Sequence, residues 1–246
     1  MSEQITIGEI FERTNDTFKS HFSYLASLAG IFIALGYLIS SVGEPLIFKF
    51  EVSAFVVVML LFITVYAKLA IMVHRLVILG ERGFGYIFQW RAVEFKFIGW
   101  ILAVVGVLFV LMYFAIRISV SGTPSHTGGG LGPGVLLVLA LMVVLGIIFS
   151  RFALVFPATA AAHKLSLGES WQLTSQHKFF VFFLAILVPY ITNRIFQKIS
   201  TEQWFFVLLV EVLSVLVIIY EVGLISHAYE ALTDHEESDE TEQVDL

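Results

Sequence analysis

Residues 55–79 read FVVVMLLFITVYAKLAIMVHRLVIL, and this stretch decides the fold. An apolar run of about 20 residues is long enough to cross the hydrocarbon layer of a bilayer as an α-helix. Within this run, Lys68 is the only charged residue before the His74-Arg75 pair near its end. Because a transmembrane β-barrel is built from short segments of alternating polarity, the continuous run predicts an all-α membrane protein.

The remainder of the chain repeats this pattern. Of its 246 residues, 58% are hydrophobic and 14% are charged, whereas about 25% of the residues in a soluble domain are charged. Five more stretches are long and apolar enough to be spans: residues 22–41, 97–118, 135–157, 179–195 and 204–229. The sequence therefore predicts a polytopic six-helix transmembrane bundle in a single domain, residues 1–232, with a kink at Pro189. Residues 233–246 are predicted to form an acidic disordered tail.

Lysine and arginine residues are distributed unevenly between alternate loops, and in membrane proteins such residues accumulate on the cytoplasmic side. If the N-terminus is cytoplasmic, eight of them lie on that side: Arg13, Lys19, Arg75, Arg82, Arg91, Lys96, Lys164 and Lys178. Four lie on the opposite side: Lys49, Arg117, Arg194 and Lys198. This imbalance predicts that both termini are cytoplasmic.

Three short segments of similar sequence indicate an internal repeat. Residues 6–9 read TIGE, residues 78–81 read ILGE and residues 166–169 read SLGE. A pair of spans follows each segment, and the second, fourth and sixth spans end near a histidine: His74, His163 and His227. The predicted unit is an interfacial helix followed by a transmembrane hairpin, used three times over residues of about 5–79, 80–164 and 165–232.

Local chemistry supports the interfacial helices. Thr6 and Ser166 each precede a glutamate by three residues, the spacing at which a hydroxyl and a carboxylate can satisfy the free amides at the start of a helix. In the second segment, Ile87, Trp90, Val93 and Phe97 would share one face of a helix. Such helices lie in the headgroup layer with their apolar side inward. Amphipathic loop helices without any ligand would have the same pattern.

Two parts of the chain carry a resemblance to a known family. Residues 151–178 read RFALVFPATAAAHKLSLGESWQLTSQHK, and residues 6–22 read TIGEIFERTNDTFKSHF. They resemble the membrane domain of bacterial glycerophosphodiester phosphodiesterases and related stand-alone inner-membrane proteins. The resemblance implies a bacterial inner (plasma) membrane protein near lipid metabolism. In that family hydrolysis belongs to a separate soluble barrel domain, for which this chain has no residues left, so no enzymatic activity is expected.

Four ionisable residues fall within the apolar stretches: Lys68, Arg151, Glu211 and Glu221. Such groups usually face the interior of a bundle and find partners, because each costs at least about 2.5 kcal/mol inside a bilayer. Depths counted from the repeat-end histidines predict two pairs, Lys68 with Glu221 and Arg151 with Glu211. The pairs would either orient the second, fourth and sixth helices or line a polar cavity for an ion, a proton or an anionic headgroup. Alternatively, Lys68 extends to the interface and leaves Glu221 unpaired.

Enzymatic and cofactor signatures are missing from the sequence. The chain has no cysteine and shows no HExxH, GxSxG or Walker A motif. We therefore expect no catalytic, cofactor-binding or metal site and no nucleic-acid partner. The sequence favours a non-catalytic multi-pass membrane protein that binds a lipid or a membrane protein partner. The alternative is a secondary transporter or channel for a small ion or amphiphile.

Overall fold

The computed structural model describes residues 6–121, 133–175, 177–198 and 204–244. Within these residues the chain forms nine α-helices, one 3-10 turn and one π turn, and it forms no β-strand. The first helices are α1 Ile7–Ser20, α2 Phe22–Leu79, α3 Ala92–Ser121, α4 Pro133–Phe152 and α5 Val155–Ala160. The others are α6 Leu167–Leu173, α7 Lys178–Phe182, α8 Val188–Lys198 and α9 Trp204–Val244. The predicted all-α fold class is confirmed.

Six helical segments among the described residues are long and apolar enough to cross a membrane. They are Phe22–Lys49, Val52–Leu79, Ala92–Leu111, Val143–Ala160, Lys178–Lys198 and Val207–Asp234. The chain is therefore a multi-pass membrane protein with six spans, as the sequence predicts. The first two spans extend several residues beyond their predicted bounds towards each other.

The first two spans belong to α2, which turns back on itself near its middle. A Cβ atom on Gly43 would lie 3.6 Å from Cβ and 2.8 Å from Cγ2 of Val58. In a straight helix these residues would be about 22 Å apart, because each residue adds 1.5 Å. The helical segment is therefore a hairpin, and Gly43 lets its two arms approach where a side chain would collide.

Three short elements lie at one end of the bundle: α1, the 3-10 turn and α6. Two spans separate α1 from the 3-10 turn Phe84–Ile87, and two more separate this turn from α6. The three elements consequently lie at the same end of the bundle, here called the N-terminal face. The long helix α9 packs against both α1 and α2, and Ile10 of α1 is buried in a cluster with Leu224 and Ala228 of α9.

The fourth and fifth spans are interrupted. The chain turns at Ala153 and Leu154 between α4 and α5, and α5 then packs against α2, α3 and α9. The fifth span contains a π turn at Phe183–Leu187, in which the Val188 N–H donates to the Phe183 carbonyl. Pro189 follows directly. A proline removes one N–H donor from a helix, and a local π turn can accommodate this defect. The kink predicted at Pro189 stays a prediction.

The three predicted repeat starts differ in structure. Ser166 and Glu169 form the reciprocal capping box at the start of α6, whereas the Thr6 hydroxyl caps α1 while Glu9 binds Arg13 instead. The second segment forms only the four-residue 3-10 turn Phe84–Ile87. The predicted amphipathic helix containing Ile87 and Trp90 is therefore wrong. The segment bends instead, because its backbone carbonyl groups accept hydrogen bonds from the buried Lys68 ammonium. The threefold repeat stays a prediction.

The acidic end of the chain also differs from the prediction of a disordered tail from residue 233. Helix α9 continues to Val244. The sequence contains no glycine or proline after Gly223, so it lacks the residues that usually end a helix, and glutamate itself is a good helix former.

The hairpin in α2 can be tested by a disulfide, since the natural chain contains no cysteine. We expect the double substitution Gly43→Cys and Val58→Cys to form an intramolecular disulfide on mild oxidation, because the 3.6 Å separation suits one. Mobility on a gel before and after reduction measures its formation. The control pair Gly30→Cys and Val58→Cys should stay reduced, and equal cross-linking of both pairs would contradict the hairpin.

Candidate functional site

Lys68 is buried in the second span and pairs with a residue that the sequence analysis did not single out. Its Nζ lies 3.0 Å from Oε1 of Glu94 at the start of α3, and both side chains are more than nine-tenths buried. The same ammonium donates to the carbonyl oxygens of Gln89 and Tyr86 and lies 4.7 Å from the centre of the Trp90 ring. The segment before α3 therefore wraps a single buried cation.

The predicted pairing of Lys68 with Glu221 is wrong, and the reason is rotation rather than depth. Tyr66, Ala70 and His74 lie on the face of the second span that lines the same cavity as Glu221. Successive residues of a helix are rotated by about 100°, so Lys68 points about 200° away from Tyr66 and Ala70. Depth counted along a helix cannot reveal this angle.

Arg151 lies in the last turn of α4, and its exposed fraction is only 9%. Its Nη1 donates to Oγ1 of Thr174 at 3.4 Å, and its guanidinium lies 5.0 Å from the centre of the Trp171 ring. Nε is buried without a hydrogen-bond partner among the described residues. Within this part of the chain, no carboxylate lies within ion-pair distance of Arg151.

The predicted pair of Arg151 with Glu211 is therefore also wrong. Glu211 lies exposed on α9. The predicted depth assumed a continuous helix from Arg151 to His163, but α4 ends at Phe152 and the chain turns into α5. Arg151 consequently contacts α6, at the N-terminal face.

Helix α6 is held in place by interactions at both of its ends. The Ser166 N–H donates to the Glu169 carboxylate at 2.6 Å and the Ser166 hydroxyl accepts from the Glu169 N–H at 3.2 Å. The first of these bonds lowers the pKa of Glu169 below its usual range. Buried Ser170 donates to the Arg151 carbonyl at 2.7 Å. Trp171 and Thr174 are thereby fixed against the guanidinium.

The three repeat-end histidines connect elements at the N-terminal face. His74 Nδ1 and Ser226 Oγ are 2.7 Å apart. Nε2 of His227 is 3.0 Å from Oγ1 of Thr17 on α1, and Nδ1 of His163 is 3.0 Å from the Tyr229 hydroxyl. Each histidine thus joins α9 to another part of the chain, which is a structural role.

Glu221 is half-buried on the wall of a cavity of about 280 Å³ that lies between the second, third, fourth, fifth and sixth spans and is here called the central cavity. Its Oε1 accepts a hydrogen bond from Thr192 of α8. Helices α2, α3, α5, α8 and α9 and the π turn all contribute to this wall, which is otherwise mostly apolar and aromatic. No lysine or arginine side chain is among the described residues that line it. Glu221 therefore has no cationic partner in this part of the chain.

Within the described residues, no group of three or more His, Asp or Glu side chains is arranged to hold a metal ion. Among the described residues, two charged groups inside the bundle have no partner of opposite charge: Arg151 at the N-terminal face and Glu221 in the central cavity.

Comparisons with protein-family models, curated proteins and solved structures found no match. The resemblance to the membrane domain of glycerophosphodiester phosphodiesterases therefore stays a prediction.

Sequence reasoning missed the groups that these charges contact. Glu94 lies 26 residues after Lys68, in the segment whose sequence predicts an amphipathic helix in the headgroup layer. Thr174 and Thr192 are short hydroxyl side chains, which carry no hydropathy signal in an apolar sequence. The clearest signal for Glu94 was available: it is an acidic residue in the first turn of a span that follows a lysine-containing span.

The ion pair in the second span gives a direct prediction. Lys68→Met and Glu94→Gln should each lower the midpoint of thermal unfolding in detergent, because either one leaves a buried charge or acceptor unpaired, a loss of about 3 to 5 kcal/mol for such pairs. The double variant should recover part of this loss. Lys96→Met, which removes an exposed lysine from α3, is the control and should change little. Additive losses in the double variant would contradict the pairing.

Proposed function

We propose that this chain is a non-catalytic membrane protein that binds the phosphate headgroup of an anionic lipid at Arg151. The observation that carries the proposal is a buried guanidinium with almost no acceptors. An arginine has five N–H donors, and the described residues supply one hydrogen bond, from Nη1 to Thr174. A charged group in a low-dielectric site normally recruits an opposite charge, and a phosphate can accept several of the remaining donors at once.

The position of Arg151 suits a headgroup. It lies in the last turn of α4, within the candidate span Val143–Ala160. Its guanidinium contacts Trp171 and Thr174 at α6. Because α6 lies between the fourth and fifth spans and not in one of them, the side chain reaches towards the membrane boundary. Trp171, which is 43% exposed and stacks on Arg151, belongs to the residue type that concentrates at this boundary. The guanidinium supplies the donors for an anionic headgroup. Thr174 holds it in place by accepting from Nη1, while the Thr174 hydroxyl itself donates to the Ser170 carbonyl.

The resemblance noted in the sequence agrees with this proposal. It implies a bacterial inner membrane protein near lipid metabolism, and the arginine of the proposed site is the first residue of the resembling segment 151–178. The lysine and arginine imbalance supports an orientation with both termini, and hence the N-terminal face, in the cytoplasm. On this proposal the chain binds lipid from the inner leaflet and has no hydrolytic activity of its own.

Lipid binding is tested with the purified protein in a neutral detergent and three water-soluble probes. Dihexanoyl phosphatidylglycerol carries phosphate and acyl chains, dihexanoylglycerol lacks the phosphate, and inorganic phosphate lacks the chains. We expect saturable binding of the first probe alone, measured by calorimetry. Arg151→Met should weaken its affinity about tenfold or more, because hydrogen bonds to charged groups are worth about 1.5 to 3 kcal/mol.

Arg194→Met is the matched control, since Arg194 is an exposed arginine that also stacks on an aromatic ring, 5.3 Å from the centre of Tyr190. An equal loss of affinity in this variant would show non-specific attraction and overturn the site. Equal binding of inorganic phosphate would show that the site binds a free anion and not a lipid. If Arg151→Met does not fold, Arg151→Lys and Thr174→Val carry the test, and unchanged affinity in both contradicts the proposal.

Orientation is tested separately. A reporter fused after Leu246 should be active as a cytoplasmic protein, and the same reporter inserted near Thr127 should be active only on the external side, because the cytoplasmic segments then contain most of the lysine and arginine residues. Enzyme activity of the two reporters in intact cells is the measurement. The reverse pattern would move the N-terminal face and the proposed lipid site to the external leaflet.

A further inference from the structure

We propose that the central cavity is a binding site for a small organic monocation, held by the Glu221 carboxylate and by aromatic rings. This site is separate from Arg151 and goes beyond the lipid-binding proposal. The cavity measures about 280 Å³ and contains residues from every span except the first. A ligand in it would contact most of the bundle at once.

The first argument is charge. Glu221 is the only carboxylate among the described residues that line the cavity, and the same lining holds no lysine or arginine. Its Oε1 accepts from Thr192, and no other hydrogen bond or ion pair of the carboxylate is present in the described part of the chain. Since a carboxylate has room for about four hydrogen bonds, one oxygen stays open to a ligand. A positive charge is the partner that this half-buried carboxylate lacks.

The second argument is the aromatic lining. Tyr66, Phe97 and Phe156 all contribute to the cavity wall, and the rings of Phe97 and Phe156 stack edge to face with 5.2 Å between centres. The faces of aromatic rings attract cations and accept apolar groups equally well. In addition to Glu221 and Tyr66, the described wall contains one titratable side chain, His74. Its Nδ1 is already hydrogen-bonded to Ser226. The wall therefore suits a charged nitrogen attached to an apolar body.

The third argument is size. A volume of about 280 Å³ lies just below the roughly 300 to 1,000 Å³ that is typical of pockets for drug-sized ligands. A complete phospholipid does not fit in this space, whereas an ammonium group with one aromatic ring or a short alkyl chain does. A bare metal ion would leave most of the apolar wall without contacts. The combination of volume, single negative charge and aromatic rings thus points to an organic cation of modest size.

The test uses benzyltrimethylammonium, which keeps its charge at every pH, and benzyl alcohol as its uncharged counterpart. We expect calorimetry on the purified protein in neutral detergent to show saturable binding of the ammonium and at least tenfold weaker binding of the alcohol. Glu221→Gln should lower the affinity for the ammonium about tenfold or more, and Glu221→Asp should retain much of it. Ala185→Leu, which fills part of the cavity, should lower binding without changing any charge.

Glu211→Gln is the matched control, since Glu211 lies on the same helix but is exposed. Equal losses in Glu211→Gln and Glu221→Gln would assign binding to general surface charge and overturn the site. Equal binding of the ammonium and the alcohol would show that the cavity binds through apolar contacts alone, without a contribution from the Glu221 carboxylate. If Glu221→Gln does not fold, unchanged binding in Ala185→Leu alone contradicts the proposal. Because the lipid and the ammonium are titrated separately, the failure of one proposal does not affect the test of the other.

Discussion

The ion pair between Lys68 and Glu94 is the interaction on which the arrangement of the bundle depends. It fixes the rotation of the second span about its own axis, because the ammonium must face the start of α3 and the carbonyl groups of the preceding segment. With this face of the helix turned towards α3, Tyr66 and His74 lie on the opposite face, where both line the same cavity as Glu221 of α9. The position of the buried lysine thus determines which residues line the cavity.

The sequence was sufficient for those features that depend on average hydropathy and on local signals. The six spans follow from long apolar runs, and the capping box at Ser166 follows from residue spacing. The partners of the buried charges do not follow from the sequence. Rotation about a helix axis decided the partner of Lys68, and an unexpected chain turn after Phe152 decided the position of Arg151.

Polar interactions and dense packing are concentrated towards the N-terminal face. The second span is buried almost continuously from Ala67 to Leu76, whereas the arms of α2 near Gly43 enclose an apolar groove of about 440 Å³. The histidine contacts and the contacts around Arg151 also lie at the packed end. Such asymmetry is consistent with lipid tails filling the open end, since hydrocarbon chains contact apolar side chains as favourably as other side chains do.

The sharp reversal of α2 has a consequence for how the chain enters a membrane. Because the two arms of α2 are in contact at Gly43 and Val58, the first two spans can enter the bilayer together as a helical hairpin. The connection between these contacts contains three charged residues, Glu44, Lys49 and Glu51. Transferring each charge through hydrocarbon costs about 2.5 to 3.5 kcal/mol on insertion scales, while the two arms together supply enough apolar surface to offset that cost. If the hairpin enters the bilayer before the later spans, Lys68 stays without its carboxylate partner until α3, which begins beside Glu94, packs against it.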